Sequence, residues 1–166
     1  MPAAGKTTLA RSLAGQLQLP LVTKDDIKER LYDELGTGDR DWSRRLGRAA
    51  YALLFAFCRE LLAAGSSAVV EGNFFAGSQE PEFDALPPHR LVQVHCSAPL
   101  ELLVARYSNR AGRHPGHLDA ERVTELRERL ESGAHAPLAL AGELIEVDTS
   151  SNVDVASIAD RIRQRT

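Results

Sequence analysis

The sequence predicts an α/β fold: three layers, with a parallel sheet carrying helices on both faces. Two observations predict it. Short apolar runs at Leu21-Val22-Thr23, Ala68-Val69-Val70, Leu91-Val92-Gln93-Val94 and Leu144-Ile145-Glu146-Val147 alternate with segments of helical apolar spacing. Strands that alternate with helices form parallel sheets covered on both sides. The chain also has 166 residues, 43% hydrophobic and 26% charged, which suits one soluble domain spanning 1–166 with a single core.

Each element follows from its local pattern. Leu9, Leu13 and Leu17 recur at helical spacing, and Pro20 stops that helix. A charged helical stretch runs from about Asp26 to Leu35, where Gly36-Thr37-Gly38 breaks it. The longest helix is expected from about Asp41 to Ala64, with Leu46, Ala50, Leu53, Phe57 and Leu61 as one apolar stripe and Gly65 at the C-cap. Ser97 and Pro99 start a helix that turns Leu100, Leu103, Val104 and Tyr107 inward. Asp119 can cap another, with Val123, Leu126 and Leu130 inside and Gly133 at its end. Val155, Ile158 and Ile162 form the apolar face of a closing helix.

Composition excludes several classes of function. A net charge of −3 and a pI near 6.0 argue against a surface that binds nucleic acid throughout. The longest near-apolar stretch, Ala49–Cys58, is about half of the roughly 20 residues needed to span a bilayer, so no membrane segment is expected. The start, Met1-Pro2-Ala3-Ala4-Gly5-Lys6, lacks the basic and apolar regions of a signal peptide, which predicts a cytoplasmic location. Cys58 and Cys96 form no CxxC pair and no metal spacing, and read as free, buried thiols.

Chemistry concentrates at Gly5-Lys6-Thr7-Thr8, which opens the first helix and matches the end of the pattern GxxxxGK[ST]. In that pattern backbone N–H groups cradle phosphates at a helix N-terminus, the lysine reaches the outer phosphates and the hydroxyl binds Mg²⁺. Glycine is required where the backbone must approach a phosphate at angles a side chain forbids. Pro2-Ala3-Ala4 are small enough for the tight loop. The pattern's first glycine would fall immediately before Met1, and the strand that should feed the loop is missing.

Two strand ends add carboxylates. Thr23-Lys24-Asp25-Asp26 follows the first strand, at the carboxyl end, where a parallel sheet opens its ligand crevice. A carboxylate there can accept a hydroxyl proton as a γ-phosphoryl group departs, while its neighbour caps the next helix. Val69-Val70-Glu71-Gly72-Asn73 places a second acid at a strand end, suited to a Mg²⁺-bound water or a substrate hydroxyl.

From Leu102 to Leu118 there is no acidic residue, while Arg106, Arg110, Arg113, His114 and His117 crowd together. Arg106 and Arg110 share a helical face, where like charges repel unless an anion joins them. Phosphate is such an anion. Gly112 and Pro115-Gly116 bracket the run, as expected of a lid at about 106–118 that closes over nucleotide. The two histidines lack a third ligand at close spacing, so no metal is expected on them.

In this order the motifs resemble those of small P-loop kinases, and most closely the AAA-type predicted-kinase group. That group is similar to the kinase domain of polynucleotide 5′-hydroxyl kinase and, more loosely, to gluconate kinase, chloramphenicol phosphotransferase and zeta toxins. The likeness runs from Met1 to about Ile162, and implies a P-loop NTPase fold of the kinase-like kind with its first strand missing. It also implies that Gly5, Lys6 and Thr7 lie on the Walker A nucleotide loop, with Thr7 as Mg²⁺ ligand; Ala3, Ala4 and Thr8 are expected to contact the nucleotide with them, and Glu71, from its strand end, is the second expected metal residue. By the same likeness Asp25 is the base and Lys28 lies on the substrate side, lysine standing where the polynucleotide kinase domain has arginine; Asn73 and Arg113 are expected on the substrate side as well. Arg106 and Arg110 match lid arginines, Arg110 at the transition state, and Asp148 and Thr149 fall where such kinases contact adenine.

The expected activity is therefore transfer of the γ-phosphoryl of ATP, with Mg²⁺, to a hydroxyl of a small molecule or nucleotide. Lys6, Asp25, Arg106 and Arg110 are the expected catalytic groups. The alternatives are a non-catalytic ATP-binding module or inactive truncated fragment, and a nucleic-acid 5′-end kinase. Only 5% aromatic residues and no broad basic surface speak against an extended nucleic-acid platform. Met1 is expected to be internal to a longer protein, preceded by a glycine and a short apolar strand.

Overall fold

The computed structural model describes residues 1–109, 114–117, 127–128 and 136–164. Its elements in chain order are α1 (Lys6–Leu17), β1 (Leu21–Thr23), α2 (Lys24–Leu35), α3 (Arg40–Ala63), β2 (Val69–Glu71), α4 (Glu80–Asp84), β3 (Val92–Ser97), α5 (Leu100–Ser108), β4 (Glu143–Asp148) and α6 (Val155–Arg163). The expected helix from Asp119 to Gly133 falls mostly outside the described residues, and none of its named positions is among them.

All described ladders are parallel. β1 pairs with β2 in the register Leu21↔Val69, Val22↔Val70, Thr23↔Glu71. β3 pairs with β4 from Val92↔Glu143 through Ser97↔Asp148. Among the described residues nothing bridges β2 and β3, so the sheet is in two halves. The core divides with it. One cluster joins Leu9 and Leu13 of α1, Cys96 of β3, Leu103 of α5, Ile145 and Val147 of β4, and Ala159 of α6. The other joins Leu54, Phe55 and Cys58 of α3 to Phe83 of α4, with Phe74 and Val70 against them. Phe83 meets Phe55 and Phe74 edge-on, with ring centroids 5.0 and 5.1 Å apart. Helix α1 packs on α6 and also on β1 and β2, and so ties the halves together.

Several boundaries differ from the sequence reading. Helix α2 starts at Lys24, because the Thr23 hydroxyl accepts the Asp26 N–H and caps the helix. Neither aspartate is the cap. β3 runs on through His95 and Cys96 to Ser97, so α5 begins only at Leu100 behind Pro99. The short α4 has no counterpart in the apolar spacing. At the end of α3 the expected glycine does its work one position beyond the cap: Gly65 takes φ 71°, and the Gly65 and Ser66 N–H groups bond to Leu62 and Leu61 carbonyls.

The apolar stripe of α3 is the main correction. The inward residues are Leu46, Ala50, Leu54 and Cys58, in steps of four, with Phe55 beside them. Leu53 and Phe57 are 39% and 52% exposed. One residue turns a helix by about 100°, so moving from Leu53 to Leu54 carries the stripe onto the face that meets α4 and Phe74. Both cysteines are free and buried, and among the described residues no helix is long and apolar enough to cross a membrane.

Leu54 is wholly buried, so Leu54→Ala should cost about 2–5 kcal/mol in urea denaturation. Leu53→Ala should stay within about 0.5 kcal/mol of the parent. Equal losses at the two positions would contradict the inward face described here.

Candidate active site

The site forms where the loop before α1 meets the carboxyl ends of the strands. Ala3 and Gly5 adopt left-handed backbone, with φ 59° and 70°. A Cβ on Gly5 would lie 3.8 Å from Thr149, an ordinary contact, so conformation rather than space calls for glycine there. Such turns point successive N–H groups into one concavity that suits an anion.

The start of α1 is electrostatically unusual. Its N-cap, Gly5, supplies no side-chain hydrogen bond, its first turn holds no acid, and its first residue is Lys6. Every other described helix has a side-chain cap or an acid in its first turn: Thr23 with Asp25 and Asp26 on α2, Asp39 with Asp41 on α3, Glu80 and Glu82 on α4, Glu101 on α5 and Asp154 on α6. A helix N-terminus carries about half a positive charge and unpaired N–H groups. Lys6 adds another cation, and its ammonium folds back across the loop to donate to the Met1 carbonyl. The arrangement suits phosphate.

The second helical residue, Thr7, donates its hydroxyl to Glu71 Oε2 at 3.2 Å. Glu71 ends β2 and is 8% exposed. Burial pushes its carboxyl above the usual range against the pull of Lys6, and Asp25 pushes the same way as burial. A hydroxyl and a carboxylate side by side, with Lys6 drawing on the carboxylate, fit Mg²⁺, which takes oxygen ligands from one or two protein groups and keeps waters for the rest. Among the described residues no cluster of three His, Cys, Asp or Glu forms a closed metal cage.

Asp25 and Asp26 part company. Asp26 turns outward to Arg11, 3.6 Å away with both side chains more than half exposed. Asp25 stays at the site, paired with Lys24 at 2.9 Å. Its charge and that of Glu71 both act on Tyr51, whose hydroxyl is pushed far above its ordinary pKa by burial first and by these two acids after it. Tyr51 donates to the Asn73 carbonyl, and the Lys24 ammonium lies 5.7 Å from its ring centre. Sequence reasoning missed Tyr51, because its place on α3 carries no motif. The Asn73 side-chain oxygen is buried and has no hydrogen-bond partner among the described residues.

Arg106 is tethered on the other side. Its guanidinium donates to the Thr149 carbonyl at 2.8 Å and to its hydroxyl at 3.3 Å. That hydroxyl donates in turn to the Ser97 carbonyl at 3.0 Å. Thr149 thus links the end of β3 to α5 and stands near Gly5 of the loop, while Asp148 accepts from the Ser150 N–H. Arg110 and Arg113 lie outside the described residues.

Lys28 is buried, 6% exposed, and turned into the α2–α3 interface. Its ammonium donates to Ser43 Oγ at 2.9 Å and lies over the Tyr32 ring, and the Tyr32 hydroxyl reaches the same serine at 2.7 Å. Residues 114–117 sit on this platform. His114 stacks on Tyr32 and meets Asp33 at 3.1 Å, and His117 meets Glu29 at 2.9 Å. A Cβ on Gly116 would fall 2.5 Å from the Tyr32 ring, so glycine is needed for the contact. Tyr32 and Ser43 gave no signal in the sequence, since a tyrosine and a serine in amphipathic helices read as ordinary packing.

A family described as an AAA domain matches residues 1–132. The chain belongs to that family. Its structure is similar to a crystal structure of a candidate kinase from Chloroflexus aurantiacus, with 36% identity, a TM-score of 0.92, and coverage of 100% of this chain and 94% of that one. It shares the fold of a sugar kinase from a Janibacter species (18% identity, TM-score 0.65, coverage 98% and 88%) and of shikimate kinase from Bacteroides thetaiotaomicron (20%, 0.57, 98% and 92%). This AAA-family chain is thus a kinase-like P-loop domain. Uncharacterized proteins of Mycobacterium bovis and Mycobacterium tuberculosis are 28% identical over 96% of the chain, which spans 31% of their length.

The raised Glu71 pKa gives a signed prediction. A carboxyl raised on folding contributes stability below its unfolded pKa, and that contribution is lost as pH rises through the folded value. At neutral pH the ionised side chain is therefore a cost to the nucleotide-free domain. Glu71→Gln should raise Tm at pH 7 and leave it nearly unchanged at pH 4, while weakening Mg²⁺-dependent nucleotide binding. A Tm that falls at pH 7 would show that the Thr7 hydrogen bond outweighs burial.

Proposed function

We propose that the domain transfers the γ-phosphoryl of ATP to a hydroxyl of a small molecule or nucleotide. The observation that carries this reading is the start of α1, capped by no side chain and free of acids, with Thr7 against Glu71 and the charge of Asp25 acting on that carboxyl. The loop N–H groups and Lys6 hold the phosphates and offset charge on the bridging oxygen as it leaves with ADP. Thr7 and Glu71 would hold Mg²⁺ directly or through water, and the bound ion would neutralise phosphate charge. Asp25 accepts the acceptor's hydroxyl proton as that oxygen bonds to the γ-phosphorus. Lys24 pairs with Asp25, and the buried side-chain oxygen of Asn73, without a hydrogen-bond partner among the described residues, supports a role in accepting from a hydroxyl of the acceptor.

Arg106, held on Thr149 beside Gly5, borders the loop. Arg110 is assigned by resemblance to the transferring group, and Arg113, in the same acid-free run, to the acceptor side. Asp148 and Thr149 are assigned to the adenine side. Burial of Lys28 against Ser43 and Tyr32 favours a role in seating residues 114–117 over direct contact with a polynucleotide, which supports a small-molecule acceptor.

Asp25→Asn should lower kcat by about 10²–10⁴ and leave ATP affinity near the parent's, in a γ-³²P transfer assay over a panel of hydroxyl compounds. Asp26→Asn, on the outer side of the same turn, should be nearly neutral. A larger loss at Asp26 would move the base, and ATP hydrolysis unaffected by any acceptor would favour a nucleotide-binding module.

A further inference from the structure

Helix α3 has a second apolar stripe, away from its core. It buries Leu46, Ala50, Leu54 and Cys58 on one side. On another, Ala49, Ala52, Leu53, Ala56 and Phe57 are exposed, and their steps of three and four make one continuous face. Among the described residues four large apolar side chains are exposed, and two of them, Leu53 at 39% and Phe57 at 52%, stand here one turn apart. Single exposed apolar residues are ordinary, whereas a contiguous stripe marks a docking face.

Charge selects the occupant. Arg45 stands one turn before Ala49 and Glu60 one turn after Ala56, so both lie on this face, one toward each end, and both are exposed. Among the described residues neither pairs with an opposite charge, and Arg45 lies over the Trp42 ring, 5.4 Å from its centre. A second copy turned end for end brings Arg45 to Glu60 and Glu60 to Arg45 at once. The same arrangement sets Ala49 level with Ala56 of the second copy, and Leu53 level with its Ala52. Alanines along the seam suit close approach of two helices, whose axes pack about 8–10 Å apart. A parallel arrangement would set Arg45 against Arg45, like charges that repel. A bilayer fits less well, because Glu60 shares the face with Leu53 and Phe57 and would be carried toward the hydrocarbon.

We propose that this face of α3 docks a second copy of the chain, antiparallel about a twofold axis between Ala52 and Leu53, with an Arg45–Glu60 pair at each end. Such a contact presents the same surface from both copies and closes at a dimer. From Arg45 to Glu60 the helix rises about 22 Å, at about 1.5 Å per residue. One helix pair of that length buries less than the roughly 800 Å² per partner of a standard interface, so the dimer is weak, with Kd on the order of 10–100 µM. The contact uses none of the residues of the candidate active site, and the inference does not rest on the phosphoryl-transfer reading.

The test is sedimentation equilibrium of the chain from about 5 µM to about 1 mM, a range that brackets the expected Kd. The weight-average mass should rise from 18.1 kDa toward twice that value. Leu53→Glu should stay at the lower mass throughout, and at low concentration its Tm should match the parent's, since the side chain is exposed. Ala56→Lys, which blocks the close approach, serves if that variant fails to fold. Arg45→Glu and Glu60→Arg should each weaken association about tenfold or more, because each replaces two attractions by two repulsions. The double variant Arg45→Glu/Glu60→Arg should return the affinity to within about threefold of the parent's, because the swapped pairs re-form. A parent chain that stays monomeric at the top of the range would overturn the proposal. So would a dimer untouched by Leu53→Glu and Ala56→Lys, or charge variants that the double swap fails to rescue. A monomer that binds vesicles of phosphatidylcholine and phosphatidylglycerol in equal parts, and loses them on Leu53→Glu, would assign the face to lipid and overturn it too.

Discussion

Backbone N–H groups at the start of a helix have no carbonyl of their own turn to bond, and at α1 no side chain takes that role. Gly5 brings no cap, Lys6 adds positive charge where an acid would ordinarily sit, and the loop before it turns left-handed at Ala3 and Gly5. An arrangement unfavourable to an isolated helix is held by its surroundings. Leu9 and Leu13 bury α1 against β3, β4 and α6, and Thr149 stands beside Gly5 while accepting from Arg106. The missing negative charge is what a phosphate brings.

The same constraint sets where the acids stand. Glu71 is buried at the end of β2 with Thr7 against it, so a carboxylate is kept in a place where its charge is costly. Asp25 is the first-turn acid of α2 that remains at the site, because Asp26 turns out to Arg11. These groups come from the half of the sheet made by β1 and β2, whereas Arg106 and Thr149 come from the half made by β3 and β4. Helix α1 belongs to both, and the geometry of the site depends on how firmly it joins them.

Much of this was legible in the sequence, and for physical reasons. Spacing of Leu9, Leu13 and Leu17 and the breakers at Pro20 and Gly36 delimit helices by local rules that tertiary structure does not override here. Thr7 and Glu71 could be brought together because both belong to patterns whose place in a parallel sheet is fixed, one after the loop and one at a strand end. What failed needed knowledge of neighbours. Leu53 and Leu54 are equivalent by type, and only the position of Phe83 and Phe74 decides which is buried. The expectation that Lys28 lies on the substrate side came from resemblance alone, and the enclosure of its ammonium by Ser43 and Tyr32, from two helices, carries no local signal. Tyr51 and the platform under His114 and His117 depend on contacts across tens of residues, and no local pattern encodes them.

The most direct measurement is an amide chemical-shift titration with ATP and Mg²⁺, carried to concentrations that reveal weak binding. The account predicts that the Gly5, Lys6, Thr7 and Thr8 amides move together and saturate with one affinity. Omitting Mg²⁺ should reduce the change most at Thr7. Saturable binding that leaves these four amides unmoved, with the shifts gathered elsewhere on the surface, would contradict it.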